Sequence, residues 1–220
     1  MSERLLNILI DSFYKMLIPG IKVTIPLTCL SFALALVISI AVALVQYADW
    51  KFAKKLARFY IWIIRGTPLL VQLYIFFYGL PALGIKLPAF PCAVLVFGIN
   101  EGAYMAESVR AALEAVPLGQ VEAGYCVGLS YPQVLRRIVL PQAMRIAFPS
   151  LANSFIALVK STSLAATITV SELFRQAQII NGRVYEPLAL YTEAALIYLA
   201  FCTFLTWLQN IIEKKLNARG

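Results

Sequence analysis

Long apolar runs separated by short polar segments form the main pattern of the sequence. Each run, counted with its polar interruptions, reaches the roughly 20 residues that a membrane-spanning helix needs. The polar segments between the runs are too short to form a separate soluble domain. The pattern therefore predicts an all-α integral membrane protein that forms a single transmembrane domain over residues 1–220. Five transmembrane helices are predicted, at residues 18–46, 60–80, 93–116, 146–170 and 188–212.

Residues 117–141 form the longest polar interruption, between the third and fourth runs. The spacing of apolar residues predicts one short helix at about Leu118–Val127 and a second at Gln133–Leu140. Gly128 permits a backbone turn between them that a residue with a Cβ atom would resist. Pro141 is predicted to end the second helix, because proline disfavours helical backbone at the residue before it. Residues 117–141, hereafter the elbow, thus form a helix–turn–helix unit whose apolar face the chain itself need not cover.

The distribution of charge indicates an orientation for the predicted helices. Only 14% of the residues are charged, against about a quarter in a typical soluble domain, and 61% are hydrophobic. The net charge of +8 is concentrated in basic loops, which favour the cytoplasmic side of a membrane. The N-terminus is therefore predicted outside and the C-terminus inside. The basic residues are Lys51, Lys54, Lys55 and Arg58 near Asp49, Arg136, Arg137 and Arg145 at the elbow, and Lys214, Lys215 and Arg219 in the tail.

Several kinds of chemistry are excluded by what the sequence lacks. It contains no histidine, which removes histidine-based metal sites and general bases. It has no G-x-x-x-x-G-K-[ST] segment, so the chain does not bind ATP through a P-loop. Its four cysteines are scattered without a C-x-x-C pair, and no aromatic–basic pattern indicates a nucleic-acid groove. We therefore expect no enzymatic activity, no metal or cofactor, and no nucleic-acid partner.

Ionisable residues in the third predicted span are expensive to place in lipid, so they indicate a partner or a water-filled cavity. Glu107 and Arg110 are three residues apart and can pair along one face of the helix. Glu101 lies nearer the middle of the span. It is either a residue of a translocation pathway or a buried carboxylate that is satisfied by neighbours such as Asn100 or Lys160.

The elbow resembles the EAA motif of the permease subunits of bacterial ATP-binding-cassette (ABC) importers. Other segments resemble the polar amino acid branch of this family and follow the same order along the chain, so the resemblance extends from about Thr24 to Lys215. Residues 163–178 are most similar to permeases for L-cystine. The matching segments are Glu122-Ala123-Gly124, Gly128 and Ile138–Pro141 for the EAA motif, and residues 65–72, 78–81, 140–143, 153–155 and 160–164 for the branch.

Two single positions and one pair of residues depart from the family pattern. Gly124 stands where the motif usually has Ala, which slightly lowers the helix propensity of the elbow. Ser161 stands where the branch usually has Asp, so a carboxylate beside Lys160 is absent. Lys160 is then either a snorkelling or ion-paired structural residue or a gate residue. The pair Asn100-Glu101 is also atypical of the branch.

The resemblance implies the type I ABC importer permease fold in the bacterial cytoplasmic (inner) membrane. Two permease subunits, identical or closely paralogous, would associate with a pair of ATPase subunits and with an extracytoplasmic amino-acid-binding protein. The elbow would be a cytoplasmic coupling segment that docks in a cleft of the ATPase and transmits its closure to the spans. The residues implied in coupling are Glu122, Ala123, Gly124, Gly128, Leu129, Arg136 and Pro141.

The resemblance also implies a polar amino acid as the transported molecule, with L-cystine favoured. An amino acid needs an acceptor for its ammonium group, which we assign to Glu101, and donors for its carboxylate, which a broken helix can supply. Because many importers rely on the binding protein for specificity, a permease without any substrate site is the alternative. The residues expected to bind substrate are Glu101, Asn100, Thr67, Gln72, Asn153, Thr162 and Ser163.

Other interpretations stay open at the level of sequence. The elbow can instead be an amphipathic loop that lies on the membrane surface. A dimeric secondary transporter would need no ATPase, although such proteins usually contain internal repeats, which this sequence lacks. The amphipathic segment Glu172–Ile180 fits an outer gate, a surface for the binding protein or a plain interfacial helix. A structural membrane subunit is the remaining class, and the elbow argues against it.

Overall fold

Helices make up nearly all of the computed structural model, which describes residues 3–48 and 50–217. No β-strand occurs within these residues, in agreement with the predicted all-α class. Asp49 and Arg219 of the predicted basic segments lie outside them. The α-helices in chain order are α1 (Glu3–Pro19), α2 (Ile25–Tyr47), α3 (Lys51–Gly66), α4 (Leu69–Tyr74), α5 (Ala89–Glu114), α6 (Leu118–Cys126), α7 (Tyr131–Val134), α8 (Leu140–Ser161), α9 (Leu173–Val184) and α10 (Pro187–Asn217).

The first apolar run belongs to a helix much longer than one membrane thickness. α1 and α2 are joined by a π-helical turn, so that helical structure continues from Glu3 to Tyr47 over 45 residues. At 1.5 Å per residue this length is about 68 Å, against about 30 Å for the apolar core of a bilayer. The predicted span 18–46 is therefore the C-terminal part of a longer helix. Its N-terminal part, α1, packs against α9 and α10.

Three prolines lie two residues beyond a π-helical turn. In such a turn the hydrogen bonds run over five residues instead of four, and the wider ring leaves room for a proline that lacks an N–H group. Before Pro141, for example, the N–H of Leu140 donates to the carbonyl of Leu135. The helix consequently continues through Pro141 into α8, so the prediction that Pro141 ends a helix was wrong. The turns and their prolines are Gly20–Thr24 with Pro26, Ile75–Gly79 with Pro81, and Leu135–Val139 with Pro141.

The second apolar run is sharply bent. α3 and the helical stretch Leu69–Leu83 meet at an angle of 100°. Thr67 between them is extended (φ −122°, ψ 143°), as expected of a residue before a proline, and Pro68 is also extended. The helix is therefore interrupted between Gly66 and Leu69. The predicted span 60–80 thus crosses a break and is not one straight helix.

α5 is the central helix, with α2 and α8 packed along it and α3 and α4 beside it. α2 contributes a stripe of buried small residues, and α5 contributes two glycines that face it. A Cβ atom placed on Gly98 would lie 2.6 Å from Cδ2 of Leu34, and one on Gly102 would lie 2.9 Å from Cγ2 of Ile38. Small residues at four-residue spacing let two membrane helices approach closely. The stripe on α2 consists of Ser31, Ala35, Ser39 and Ala43.

Gly98→Ala is expected to lower the free energy of unfolding by about 1–3 kcal/mol. The added Cβ atom would lie 2.6 Å from Cδ2, 2.8 Å from Cγ and 3.0 Å from Cβ of Leu34, so the whole Leu34 side chain would have to move. Thermal unfolding of the purified protein in detergent measures the effect. Gly182→Ala is the matched control, since Gly182 also lies in a helix and a Cβ there meets nothing within 4 Å. Equal stability of the two variants would contradict the close packing of α2 and α5.

α9 begins at a buried carboxylate. Glu172 has no exposed surface (0%), and its oxygens accept hydrogen bonds from the N–H groups of Phe174 (2.9 Å) and Arg175 (2.6 Å) and from the hydroxyl of Tyr198 (2.7 Å). Burial raises the pKa of this carboxyl, although the three hydrogen bonds act in the opposite direction. The amphipathic helix predicted at Glu172–Ile180 is confirmed, and the bond to Tyr198 ties it to α10.

The described residues contain four or five candidate membrane-crossing helices. Within the described residues, four helical stretches are long and apolar enough to cross a membrane, and a fifth crossing results if the bent pair is one span. The third, fourth and fifth predicted spans overlap three of these stretches. The four stretches are Glu3–Tyr47, Ala89–Glu114, Tyr131–Ile168 and Pro187–Leu216.

Candidate functional site

The elbow consists of two short helices and a tight turn. Gly128, just after α6, has a left-handed backbone with φ of +82°, which confirms the turn predicted there. The N–H of Leu129 closes α6 by donating to the carbonyl of Gly124 at 3.1 Å. The N–H of Ser130 donates to the side-chain oxygen of Gln133 at 2.9 Å and caps α7. The turn is therefore held by backbone bonds and a cap from within the elbow itself.

One face of the elbow packs on the chain and the other is bare. Gly124 is buried, and a Cβ atom there would lie 2.7 Å from Cδ1 of Ile138 and 3.0 Å from Cγ2 of Val134. The glycine that replaces the usual Ala thus lets α6 lie close to the helix that follows. The large apolar side chains on the bare face are Leu118 (75% exposed), Tyr125 (46%), Val127 (77%) and Tyr131 (49%).

The residues expected to act in coupling divide between these two faces. Gly124 and Leu129 face the interior, where Leu129 packs against the cluster that includes Val134 and Val139. Five others are exposed and available to a partner, and the exposed residues Arg136 and Arg137 line a small hollow with Pro132 and Gln133. The exposed coupling residues are Glu122, Ala123, Gly128, Arg136 and Pro141.

Three of the residues expected to bind substrate contact one another at the bend between α3 and α4. Gln72 donates to the hydroxyl of Thr67 at 2.7 Å and to the carbonyl of Ile64 at 2.8 Å. Asn100 donates to the side-chain oxygen of Gln72 at 3.0 Å. Gln72 and Asn100 are each only 6% exposed. These amides therefore supply partners to the backbone groups that the bend frees, and they join the bend to α5.

Gln72→Leu is expected to lower the unfolding free energy by about 1–3 kcal/mol, because it leaves the buried amide of Asn100 and the carbonyl of Ile64 without a partner. The unfolding midpoint should fall, whereas KM for transport should change little. Gln176→Leu provides the same side-chain change on α9 as a control. A large rise in KM with unchanged stability would instead make Gln72 a substrate ligand.

Polar side chains of α5 and α8 meet where the two helices pack together, and this set is here called the polar face. Glu101 is hydrogen-bonded to Ser154, and not to the Asn100 or Lys160 considered from the sequence. The hydroxyl of Ser150 donates to that of Ser108 at 2.9 Å. The polar face consists of Glu101, Tyr104 and Ser108 on α5 and Ser150, Asn153, Ser154 and Lys160 on α8.

α8 exposes a narrow stripe on this face. Ser150, Asn153, Ala157 and Lys160 are all exposed and follow the three- and four-residue spacing of one side of a helix. The side-chain oxygen of Asn153 accepts a hydrogen bond from Gln209 of α10 at 3.2 Å. Since these residues lie in stretches apolar enough to cross a membrane, exposure of this face to lipid would be costly.

A charged cluster borders the polar face on α5. The predicted pair of Glu107 and Arg110 is confirmed, with an N–O distance of 2.9 Å. Arg110 also pairs with Glu114 at 2.7 Å, and Gln46 of α2 donates to Glu107 at 3.3 Å. The guanidinium of Arg65 lies 5.1 Å from the ring centre of Tyr104, a cation–π contact. A hydrogen bond to Glu107 and the cation–π contact to Tyr104 thus join α2 and α3 to α5.

A family model described as "Binding-protein-dependent transport system inner membrane component" matches residues 35–218. The chain belongs to this family. The permease is 45% identical over 208 residues to the L-cystine transport system permease protein TcyB of Bacillus subtilis (strain 168), covering 94% of the chain and 89% of that protein. It is 42% identical to the probable amino-acid ABC transporter permease protein YckA of the same organism, covering 94% and 91% of the two chains.

Solved structures agree with this membership. The permease superposes on a chain described as an amino acid ABC transporter with histidines, with a TM-score of 0.89 and 33% identity over 98% of the permease and 100% of that chain. An inward-facing MetNI methionine ABC transporter gives a TM-score of 0.72 over 98% and 99% of the chains, and its 17% identity supports the fold alone. The permease has the type I fold and is a subunit of an amino acid ABC importer, a class that works with ATPase subunits and a binding protein.

A cleft of about 500 Å³ lies between the end of α8 and the helices α9 and α10 of the permease. Ser163 and Lys160 line it, and the hydroxyl of Ser163 donates to the carbonyl of Lys160 at 2.7 Å. Thr162 is buried behind it and donates to the carbonyl of Val159 at 2.6 Å. Ser163 therefore reaches the cleft directly, whereas Thr162 supports the short 3-10 segment Thr162–Ile168.

Sequence reasoning missed two features of the permease. The first is Glu172, whose position directly before an amphipathic helix is a signal for a capping residue. The second is the small-residue stripe of α2, which is visible as Ser, Ala, Ser and Ala at intervals of four. Within residues 3–48 and 50–217, no group of His, Cys, Asp and Glu side chains is arranged to hold a metal ion.

Proposed function

We propose that the permease carries L-cystine, and that the polar face lines the pathway. The polar face is the observation that supports this pathway. Its residues Glu101, Asn153 and Lys160 lie in helical stretches that are otherwise apolar enough to face lipid. A second permease subunit, identical or closely paralogous, that covers this face would enclose a polar path between two copies. Cystine is supported by two similar proteins of Bacillus subtilis (strain 168), TcyB and TcyL, which are named as L-cystine permeases and are 45% and 36% identical to the chain.

Within this pathway, the carboxylate of Glu101 is the proposed partner of the ammonium group of the transported amino acid. Its carboxylate is half-buried on α5 and is held by a single side-chain partner, Ser154. Asn153 and Ser163 are the other expected substrate residues that reach the polar face or the cleft beside it. Asn100, Gln72 and Thr67 contribute by fixing the bend, and Thr162 by fixing the 3-10 segment, because their polar atoms bond within the chain.

The bare face of the elbow is the proposed dock for the ATPase pair. Exposed apolar side chains that are bordered by exposed basic ones are typical of a surface that binds another protein. Because α6 packs tightly through Gly124 on the helix that leads into α8, a push on the elbow would move α8 as a rigid body. We further propose five crossings, with the N-terminus outside and the elbow and C-terminus inside, and a binding protein that delivers cystine from outside.

ATP-driven uptake by the assembled importer in proteoliposomes tests this function. The permease, its ATPase subunits and its binding protein would be reconstituted, and uptake of labelled cystine would be competed with arginine, glutamine and histidine. Uptake that requires ATP and is blocked best by unlabelled cystine is the expected result. Uptake driven by an ion gradient without the ATPase would indicate a secondary transporter, and preference for another amino acid would overturn the assignment of cystine.

A further inference from the structure

We propose that Lys160 binds a carboxylate of the transported amino acid in the cleft between α8, α9 and α10. The inference rests on the proposed function, since it names the residue that binds one end of the substrate in the same pathway. The cleft has a volume of about 500 Å³, which lies within the roughly 300–1,000 Å³ typical of small-molecule sites. Its residues come from the end of α8, the 3-10 segment that follows it, the start of α9 and the first half of α10.

The ammonium group of Lys160 has no counter-ion in the part of the chain that the structure describes. The ion pairs there join Lys15 to Asp11 and Arg110 to Glu107 and Glu114. Lys160 nevertheless belongs to the helical stretch Tyr131–Ile168, which is apolar enough to cross a membrane. A lysine in such a stretch is expected to face water or to meet an anion. Since Lys160 lines the cleft, a ligand in the cleft can supply that anion.

Two of the other hydroxyl groups of the cleft, those of Tyr198 and Ser163, already donate hydrogen bonds within the chain. The hydroxyl of Tyr198 donates to Glu172 at 2.7 Å, and that of Ser163 donates to the carbonyl of Lys160 at 2.7 Å. The hydroxyl oxygen of Tyr191 accepts a hydrogen bond from Asn181 at 3.3 Å. No acidic side chain is among the lining residues. Lys160 therefore gives the cleft one uncompensated positive charge, and the matching ligand group is an anion.

The size and position of the cleft favour an amino acid with two head groups. Phe174 and Leu199 provide apolar walls beside Lys160 for the connecting chain of the ligand. Asn153 lies on the same side of α8, seven residues before Lys160, which corresponds to about 10.5 Å along the helix. A ligand such as cystine can place one carboxylate at Lys160 and direct its second head group toward Asn153 and Glu101.

Protection of Cys202 from alkylation tests the inference without measuring transport. Cys202 lines the same cleft and is partly exposed, so a ligand at Lys160 would shield its thiol. The assembled importer would carry Cys29→Ser and Cys126→Ser, which remove the exposed cysteines, while the buried Cys92 is kept. L-Cystathionine replaces cystine as the probe, because its thioether cannot exchange with a thiol. Mass spectrometry of the peptide that contains Cys202 gives the alkylation rate.

Saturating L-cystathionine is expected to slow alkylation of Cys202 by about fivefold or more, equivalent to at least about 1 kcal/mol. Lys160→Met should abolish this protection, Lys160→Arg should retain most of it, and the corresponding diamine without carboxylates should give none. Lys22→Met is the matched control, because Lys22 also lies in a long apolar helix and is not part of the cleft.

Protection that persists in a folded Lys160→Met permease, or equal protection by the diamine, overturns the inference. If Lys160→Met fails to assemble, loss of protection in Lys160→Arg overturns it instead. The absence of protection by cystathionine in an importer that takes up cystine with ATP overturns the carboxylate site and leaves the proposed function intact. Failure of ATP-driven uptake for every amino acid tested overturns the proposed function, and the inference with it.

Discussion

Gly128→Asp is expected to reduce ATP-driven uptake by about tenfold or more while the permease still inserts into the membrane and its ATPase still hydrolyses ATP. The backbone of Gly128 is left-handed (φ +82°), a conformation that suits glycine best and that Asn and Asp also adopt as single residues. No atom lies within 4 Å of an added Cβ, so the side chain causes no clash inside the chain. The change therefore affects the shape and charge of the elbow at its bare face, where we place the ATPase.

Two variants separate the turn from the charge. Gly119→Asp adds the same carboxylate to another exposed position of the elbow. The backbone there is not left-handed, and no atom lies within 4 Å of an added Cβ. Gly128→Asn tolerates the left-handed backbone without adding charge. Uptake should stay near normal in both. Normal uptake by Gly128→Asp would exclude a coupling role for the turn, and an equal loss in Gly119→Asp would attribute the effect to charge alone.

Glu101→Gln is expected to raise KM for transported amino acid by about tenfold or more, because an amide cannot pair with an ammonium group as a carboxylate does. Hydrogen bonds to charged groups contribute about 1.5–3 kcal/mol each. Glu101 lies on the polar face and has Ser154 as its side-chain partner, so it can also accept a bond from substrate. Initial rates of ATP-driven uptake over a range of substrate concentrations measure the change.

Glu114→Gln is the control for this variant. Glu114 lies on the same helix, and its carboxylate is more than half exposed and paired with Arg110. Exposed ion pairs contribute about 0–1 kcal/mol, so only a small effect is expected from its loss. KM and Vmax unchanged in Glu101→Gln would show that Glu101 does not bind substrate. A fall in thermal stability without a change in KM would indicate that its bond to Ser154 is its whole role.

The sequence was sufficient wherever short-range chemistry decides the structure. The length of the apolar runs indicates membrane-crossing helices, and the helical spacing of Glu107 and Arg110 indicates their ion pair, which forms at 2.9 Å. The left-handed turn at Gly128 follows from the conformational freedom of one residue type. The break around Pro68 likewise follows from the restriction that proline places on its neighbour.

Pro141 marks the limit of such local rules. A proline normally ends a helix, and the sequence alone does not reveal that a π-helical turn at Leu135–Val139 makes room for it. Gly124 is a similar case, because helix propensity alone counts it as a small loss. In the folded chain, the space that a Cβ atom on Gly124 would occupy is filled by Ile138 and Val134, residues that lie beyond the turn.

The amino-acid sequence by itself thus determined the helical membrane class, the elbow with its turn, and the family of the permease. Only the tertiary structure decided which polar residues are free to meet a substrate. Gln72 and Asn100 look as suitable in sequence as Glu101 and Lys160, but they bond to each other across 28 residues at the bend, whereas Lys160 has no counter-ion and lines a cleft. The physical reason is that the availability of a polar group depends on partners distant in sequence, and folding alone brings those partners together.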